Sequence, residues 1–111
     1  MSVITKNIIP RKQAENSITT QYTATGVRCI IDKLTATNIS ASPVTIDVYL
    51  VAPGGTASDV NRVVKTRTIV ANESYTFPQV VGQILEAGGF LATNASAASA
   101  LVISGSGREV A

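Results

Sequence analysis

Residues 44–52 read VTIDVYLVA, and this stretch constrains the fold more than any other in the chain. Val44, Ile46, Val48 and Leu50 fall on one side, with Thr45, Asp47 and Tyr49 on the other. That two-residue period belongs to a strand with one face in a core. The SASP turn at 40–43 precedes it, and Pro53, Gly54 and Gly55 stop it. The same grammar recurs along the chain in SITTQYT (17–23), VRCIIDKLTATNIS (27–40), VNRVVKTRTIV (60–70), SYTFP (74–78), GFLATNA (89–95) and ASALVISGSGREV (98–110). Roughly six to eight short strands at about ten-residue spacing predict an all-β fold, a compact antiparallel β-sandwich or jelly roll. An α/β fold would need several helical periods, and the sequence offers one.

That single helical period lies in FPQVVGQILEAGGF (77–90). Pro78 can open a helical turn. Val81, Ile84 and Leu85 stand at i, i+3 and i+4, and Gly88 can close the turn in a left-handed state. The spacing therefore predicts a short helix plugging one end of the sandwich, with its glycines serving the corner and not a ligand. Two other local expectations follow from phase. In residues 27–40, Val27, Cys29 and Ile31 share one face while Ile30, Leu34 and Ala36 share the other, so a bulge is expected near Ile30 and Ile31. In the last strand Gly105 and Gly107 allow a close approach or a bulge. Residues 1–16, interrupted by Pro10, read as an extended N-terminal arm, with residues 3–9 able to pair at a sheet edge. Residues 17–111 read as one sandwich domain, a natural size for a single core.

Chemistry is sparse. The chain has no histidine and one cysteine, which excludes imidazole bases, histidine zinc sites, thiolate clusters and an intrachain disulfide. Cys29 reads as a small buried hydrophobe. Asp32 and Asp47 read as surface carboxylates, and Asp59 as a turn residue after PGGTAS, a loop that no GKS or GKT follows. The expectation is a protein that is not an enzyme, with no catalytic residue, metal or cofactor. The charges in MSVITKNIIPRKQ break any secretory apolar segment, and no run is long enough to span a bilayer. The glycosylation patterns at Asn38, Asn72 and Asn94 are read as coincidence for the same reason.

Nine Lys and Arg against seven Asp and Glu give a formal charge of +2, too balanced for electrostatic binding of nucleic acid. Charged residues make up 14% of the chain, and its surface is solvated largely by hydroxyls and amides. Such a surface suits flat contacts, because little charge is desolvated when a partner covers it. Candidate interface residues are Lys6, Arg11 and Lys12 of the arm, the basic stripe Arg62, Lys65 and Arg67, and the tyrosines Tyr49 and Tyr75 as amphipathic anchors.

YLVAPGGTAS (49–58), NESYTFPQVVGQILEAGGFLATNASAAS (72–99) and LVISGSGREV (101–110) resemble small β-sandwich structural proteins of tailed bacteriophages. The resemblance covers residues 17–110. It implies a non-enzymatic virion component: a capsid decoration (cement) protein, or alternatively a head-completion or tail-associated protein. Such a protein would assemble as a dimer or trimer, bind the major capsid protein or other virion proteins, and reside in the virion after assembly in the host cytoplasm. The arm that reaches across neighbours in such proteins would be residues 2–16. A separate reading from the loops, notably residues 53–59, is a module binding a glycan or host-surface molecule.

Overall fold

The computed structural model describes residues 2–111. Its strands, among the described residues, are β1 (Val3–Gln13), β2 (Thr19–Thr23), β3 (Arg28–Asn38), β4 (Val44–Val51), β5 (Arg62–Ile69), β6 (Ser74–Thr76), β7 (Ile84–Leu85), β8 (Phe90–Ala95) and β9 (Leu101–Val110). The antiparallel pairs are nested. Hairpin β4–β5 lies innermost, β3 pairs with β6 and β7, β2 with β8, and β1 with β9. The doubled-back ribbon closes on itself through β3–β9 and β4–β8. Two sheets result, ordered β1-β9-β3-β6 (with β7 also on β3) and β2-β8-β4-β5. An antiparallel sandwich wrapped in this way is a jelly roll. We call its layers the β9 sheet and the β8 sheet.

The inward residues of both sheets form the core. Ile31, Leu34, Ile46, Val48, Ile69, Leu91, Leu101 and Ile103 are all essentially inaccessible. The alternation of 44–52 holds: Val44, Ile46 and Val48 enter this core and Leu50 packs against it. In β3, Cys29, Ile31, Leu34 and Ala36 all point inward, because the register slips between Ile31 and Lys33. The bulge therefore sits one step beyond the position expected from phase. Two adjacent exposed residues, Asp32 and Lys33, absorb the extra step. Gly107 lies where β9 crosses this bulge. A Cβ there would stand 2.7 Å from the carbonyl oxygen of Ile30, so close approach is the reason for that glycine.

Of the short helical segment expected between Pro78 and Gly88, a single turn forms and the face of Val81, Ile84 and Leu85 does not. A 3-10 turn covers Pro78–Val80, and Gly82 then takes a left-handed φ of 81°. Gly82 N–H donates to the Ile31 carbonyl at 2.7 Å, and Ile31 N–H donates to the Gln83 carbonyl at 2.9 Å. These bonds draw the chain into the ladder as β7, beside the β3 bulge. Leu85 is buried, whereas Val81 and Ile84, the other two members of the expected helical face, are each 51% exposed. Gly88 does adopt a left-handed φ, 93°, but it closes a turn and not a helix.

Residues 3–13 are extended and paired along β9 as the edge strand of that sheet. Ile8, Ile9 and Ala14 belong to the core, so the sandwich takes in this segment as well. Pro10 is accommodated because an edge strand has one row of N–H groups without ladder partners. At the far end of this pair, Ser2 N–H donates to the Ala111 carbonyl at 3.2 Å and Ala111 N–H to the Ser2 carbonyl at 3.0 Å.

One buried polar residue joins the layers. The Asn38 amide nitrogen donates to the carbonyls of Ser42 and Ile69, and its oxygen accepts from Ser40 N–H and Oγ, all at 2.7–2.9 Å. Its side chain is inaccessible and fully used, which removes it as a glycan acceptor.

Candidate interaction surface

The interface residues expected from sequence do not converge. Tyr49 points outward from the β8 sheet, as expected, but it is only 1% exposed. Residues 52–61 fold over that face, and Tyr49 forms a second small cluster with Val51 and Ala92, packed by Ala57 and Phe90. Tyr49 therefore presents no surface to a partner. Arg62 fastens the covering loop: it pairs with Asp59 at 2.6 Å and Asp47 at 3.6 Å, and its guanidinium stands 5.3 Å from the Tyr49 ring centre. Lys6 pairs with Glu109 at 3.4 Å and Lys12 with Glu15 at 2.8 Å. Arg67 stacks 3.9 Å from the centre of the Tyr75 ring, whose edge meets Phe77.

The carboxylates complete the pattern. The Tyr22 hydroxyl donates to Glu109 at 2.5 Å, and that bond, with Lys6 beside it, holds the Glu109 carboxyl below its usual range. Burial, then Glu109, pushes the Tyr22 phenol up. Lys12 and the Gln21 amide hold the Glu15 carboxyl below its usual range as well. Arg108 grips Asp32 through two nitrogens at 2.9–3.1 Å, and Arg28 pairs with Glu86 at 3.0 Å. Glu73 accepts from Val70 N–H at 3.2 Å. Each of the seven side-chain carboxylates thus has a partner within the chain. Arg11, Lys33, Lys65 and Arg67 are left without a carboxylate partner among the described residues.

These four bases fall in two places. Lys65 and Arg67 lie on the edge strand β5, where Thr66 bulges at a φ of 52° and donates its N–H to Asp47 at 2.6 Å. A bulge flanked by bases blocks the pairing of another strand. Arg11 and Lys33 instead flank a trough of about 370 Å³ on the outer face of the β9 sheet, together with Thr35, Thr37, Ser104 and Ser106. Asn7 also lines it, and no aromatic residue does.

No family model matches the chain, and no curated protein matches it significantly. Among the solved structures that share its fold are the following two. One is a chain of Bacillus endospore appendages, described as a novel family of disulfide-linked pili, with a TM-score of 0.52 and 14% identity over 98% of this chain and 88% of that one. The other is a chain of infectious bursal disease virus, Gx strain, with a TM-score of 0.53 and 15% identity over 98% of this chain. This sequence spans 33% of that viral chain. At such identity the likeness is one of fold.

A second hollow, of about 320 Å³, opens at one end of the sandwich between Pro53, Val60, Val63 and Ile84. Val60 there is 97% exposed. No helix among the described residues is long and apolar enough to cross a membrane, and no group of three metal-ligating side chains forms among them. Lys33, Thr35, Ser104 and Ser106 were not singled out from the sequence. The polar alternation at 33, 35 and 37 and at 104 and 106 was visible, but only the β3–β9 pairing brings the two rows together.

Proposed function

We propose that this chain is a structural virion subunit, a decoration (cement) protein that oligomerises and binds the capsid surface of a tailed bacteriophage. One observation carries the reading: a nested jelly-roll wrap, shared over 98% of the chain with a virus chain and with a pilus chain. The phage motifs of residues 49–58, 72–99 and 101–110 support the assignment to a virion. The hydroxyl-rich outer face of the β9 sheet supports contact with a partner, because little charge is desolvated there. Assembly is noncovalent in this reading. The pilus chain is described as disulfide-linked, whereas Cys29, the single cysteine here, is inaccessible and burial pushes its thiol up.

The arm cannot be tested by deletion, because removing β1 also removes Ile8 and Ile9 from the core. The decisive measurement is electron cryo-microscopy of purified particles with quantitation of the chain by mass spectrometry. The expected result is density for the jelly roll on the outer capsid surface at fixed stoichiometry. Particles that lack the chain would overturn the assignment. Light scattering on the isolated protein should give a dimer or trimer mass.

A further inference from the structure

The trough on the β9 sheet is a concave place where positive charge is left unanswered among the described residues. Its floor is built from Ser104 and Ser106 on β9, which lie opposite Thr35 and Lys33 of β3. The other wall is β1, where Ile9 lies opposite Gly105 and sets Arg11 and Asn7 on either side of it. Neighbouring strands lie about 4.8 Å apart, so Arg11 and Lys33 face each other across roughly 10 Å of hydroxyl-lined sheet. The acid adjoining this region, Asp32, is already neutralised by the two-nitrogen grip of Arg108.

We infer that this trough docks an acidic segment of a different protein chain, whose carboxylates pair with Arg11 and Lys33 while the serine, threonine and asparagine side chains hydrogen-bond its polar atoms. Charge complementarity selects this occupant. A second copy fits poorly, because all seven of its side-chain carboxylates are held within their own chain and each new pair would break an old one. A sugar would lack a ring to stack on, since no aromatic residue lines the trough. Nucleic acid would need a continuous basic track, and the remaining unpaired bases, Lys65 and Arg67, lie on β5 in the other sheet. Neutral hydroxyls around two bases keep the desolvation on docking small. The inference stands on this geometry alone and does not require that the partner belong to a virion.

The test titrates the intact, isotope-labelled protein with a hexaglutamate peptide at low salt, following backbone amides by NMR. Shifts should cluster at residues of β1, β3 and β9 around Arg11, Lys33, Ser104 and Ser106. The variant R11E/K33E should lose roughly tenfold or more in affinity, and R11Q/K33Q a smaller part of that. K65E/R67E, which alters the other unpaired bases, should stay within about twofold of the parent. Equal loss in the two reversal variants, or shifts centred on β5, would overturn the inference. So would inorganic phosphate reproducing the shifts while the peptide gives none, which would make the trough a small-anion site.

Discussion

The outer faces of the two sheets are built from similar strands and end up in opposite conditions. On the β8 sheet the loop 52–61 lies over Tyr49 and Val51, and Arg62 pins it down. On the β9 sheet none of the described residues covers the hydroxyl-lined trough between Arg11 and Lys33. The covered face carries the large aromatic ring, which would be adhesive if bare. The open face carries small neutral polar groups, which water solvates well. Of these two faces, the chain buries the one that would associate without selectivity and leaves open the one whose partner must match its charge.

Substitutions can break this contrast, the largest effect coming from the covered face. Tyr49→Ala should empty the second cluster and destabilise the protein by about 3–5 kcal/mol in chemical denaturation. It should also expose the β8 sheet to dye binding; a change within about 0.5 kcal/mol would mean that the loop is not a structural cover. Gly107→Ala tests the inner side of the β9 sheet. With the Ile30 carbonyl 2.7 Å from the new methyl, about 1–3 kcal/mol should be lost while the outer trough keeps its shape.

Glu109 tests the joint between the layers, since it lies on β9 and receives the hydroxyl of Tyr22 from β2. Its carboxyl is held below the ordinary value of 4.5, so the bond adds stability above that pH and loses it as pH falls through the lowered folded value. Glu109→Gln should therefore flatten the acid limb of the stability–pH profile; an unchanged limb would assign the acid sensitivity to other groups. The smallest effect belongs to the open face. Thr35→Ala with Ser104→Ala should change stability by no more than about 0.5 kcal/mol, as expected for half-buried polar side chains that line an open trough.

Most of the strand pattern was legible because alternation is local. Residues 44–52 declare their two faces without help, and the run from Leu101 to Val110 does the same. What failed depended on distant partners. Val81, Ile84 and Leu85 satisfy a helical spacing, but adjacent Ile84 and Leu85 suit a strand equally well. The choice was made by the free Ile31 N–H and carbonyl beside the β3 bulge. Tyr49 was correctly placed outward, yet its burial depends on a loop of small residues with no periodic signal. Arg11 was visible as a candidate and Lys33 was not, because only the pairing of both β1 and β3 with β9 sets them across one trough.

The reciprocal bonds between Ser2 and Ala111 bring the first and last described residues together at one corner. A tag or fluorescent protein fused to either end would emerge from that same corner. A short linker across the corner would permit a circular permutant with both new ends in an exposed turn such as residues 98–99. Ser2 and Ala111 thus form a single point of attachment.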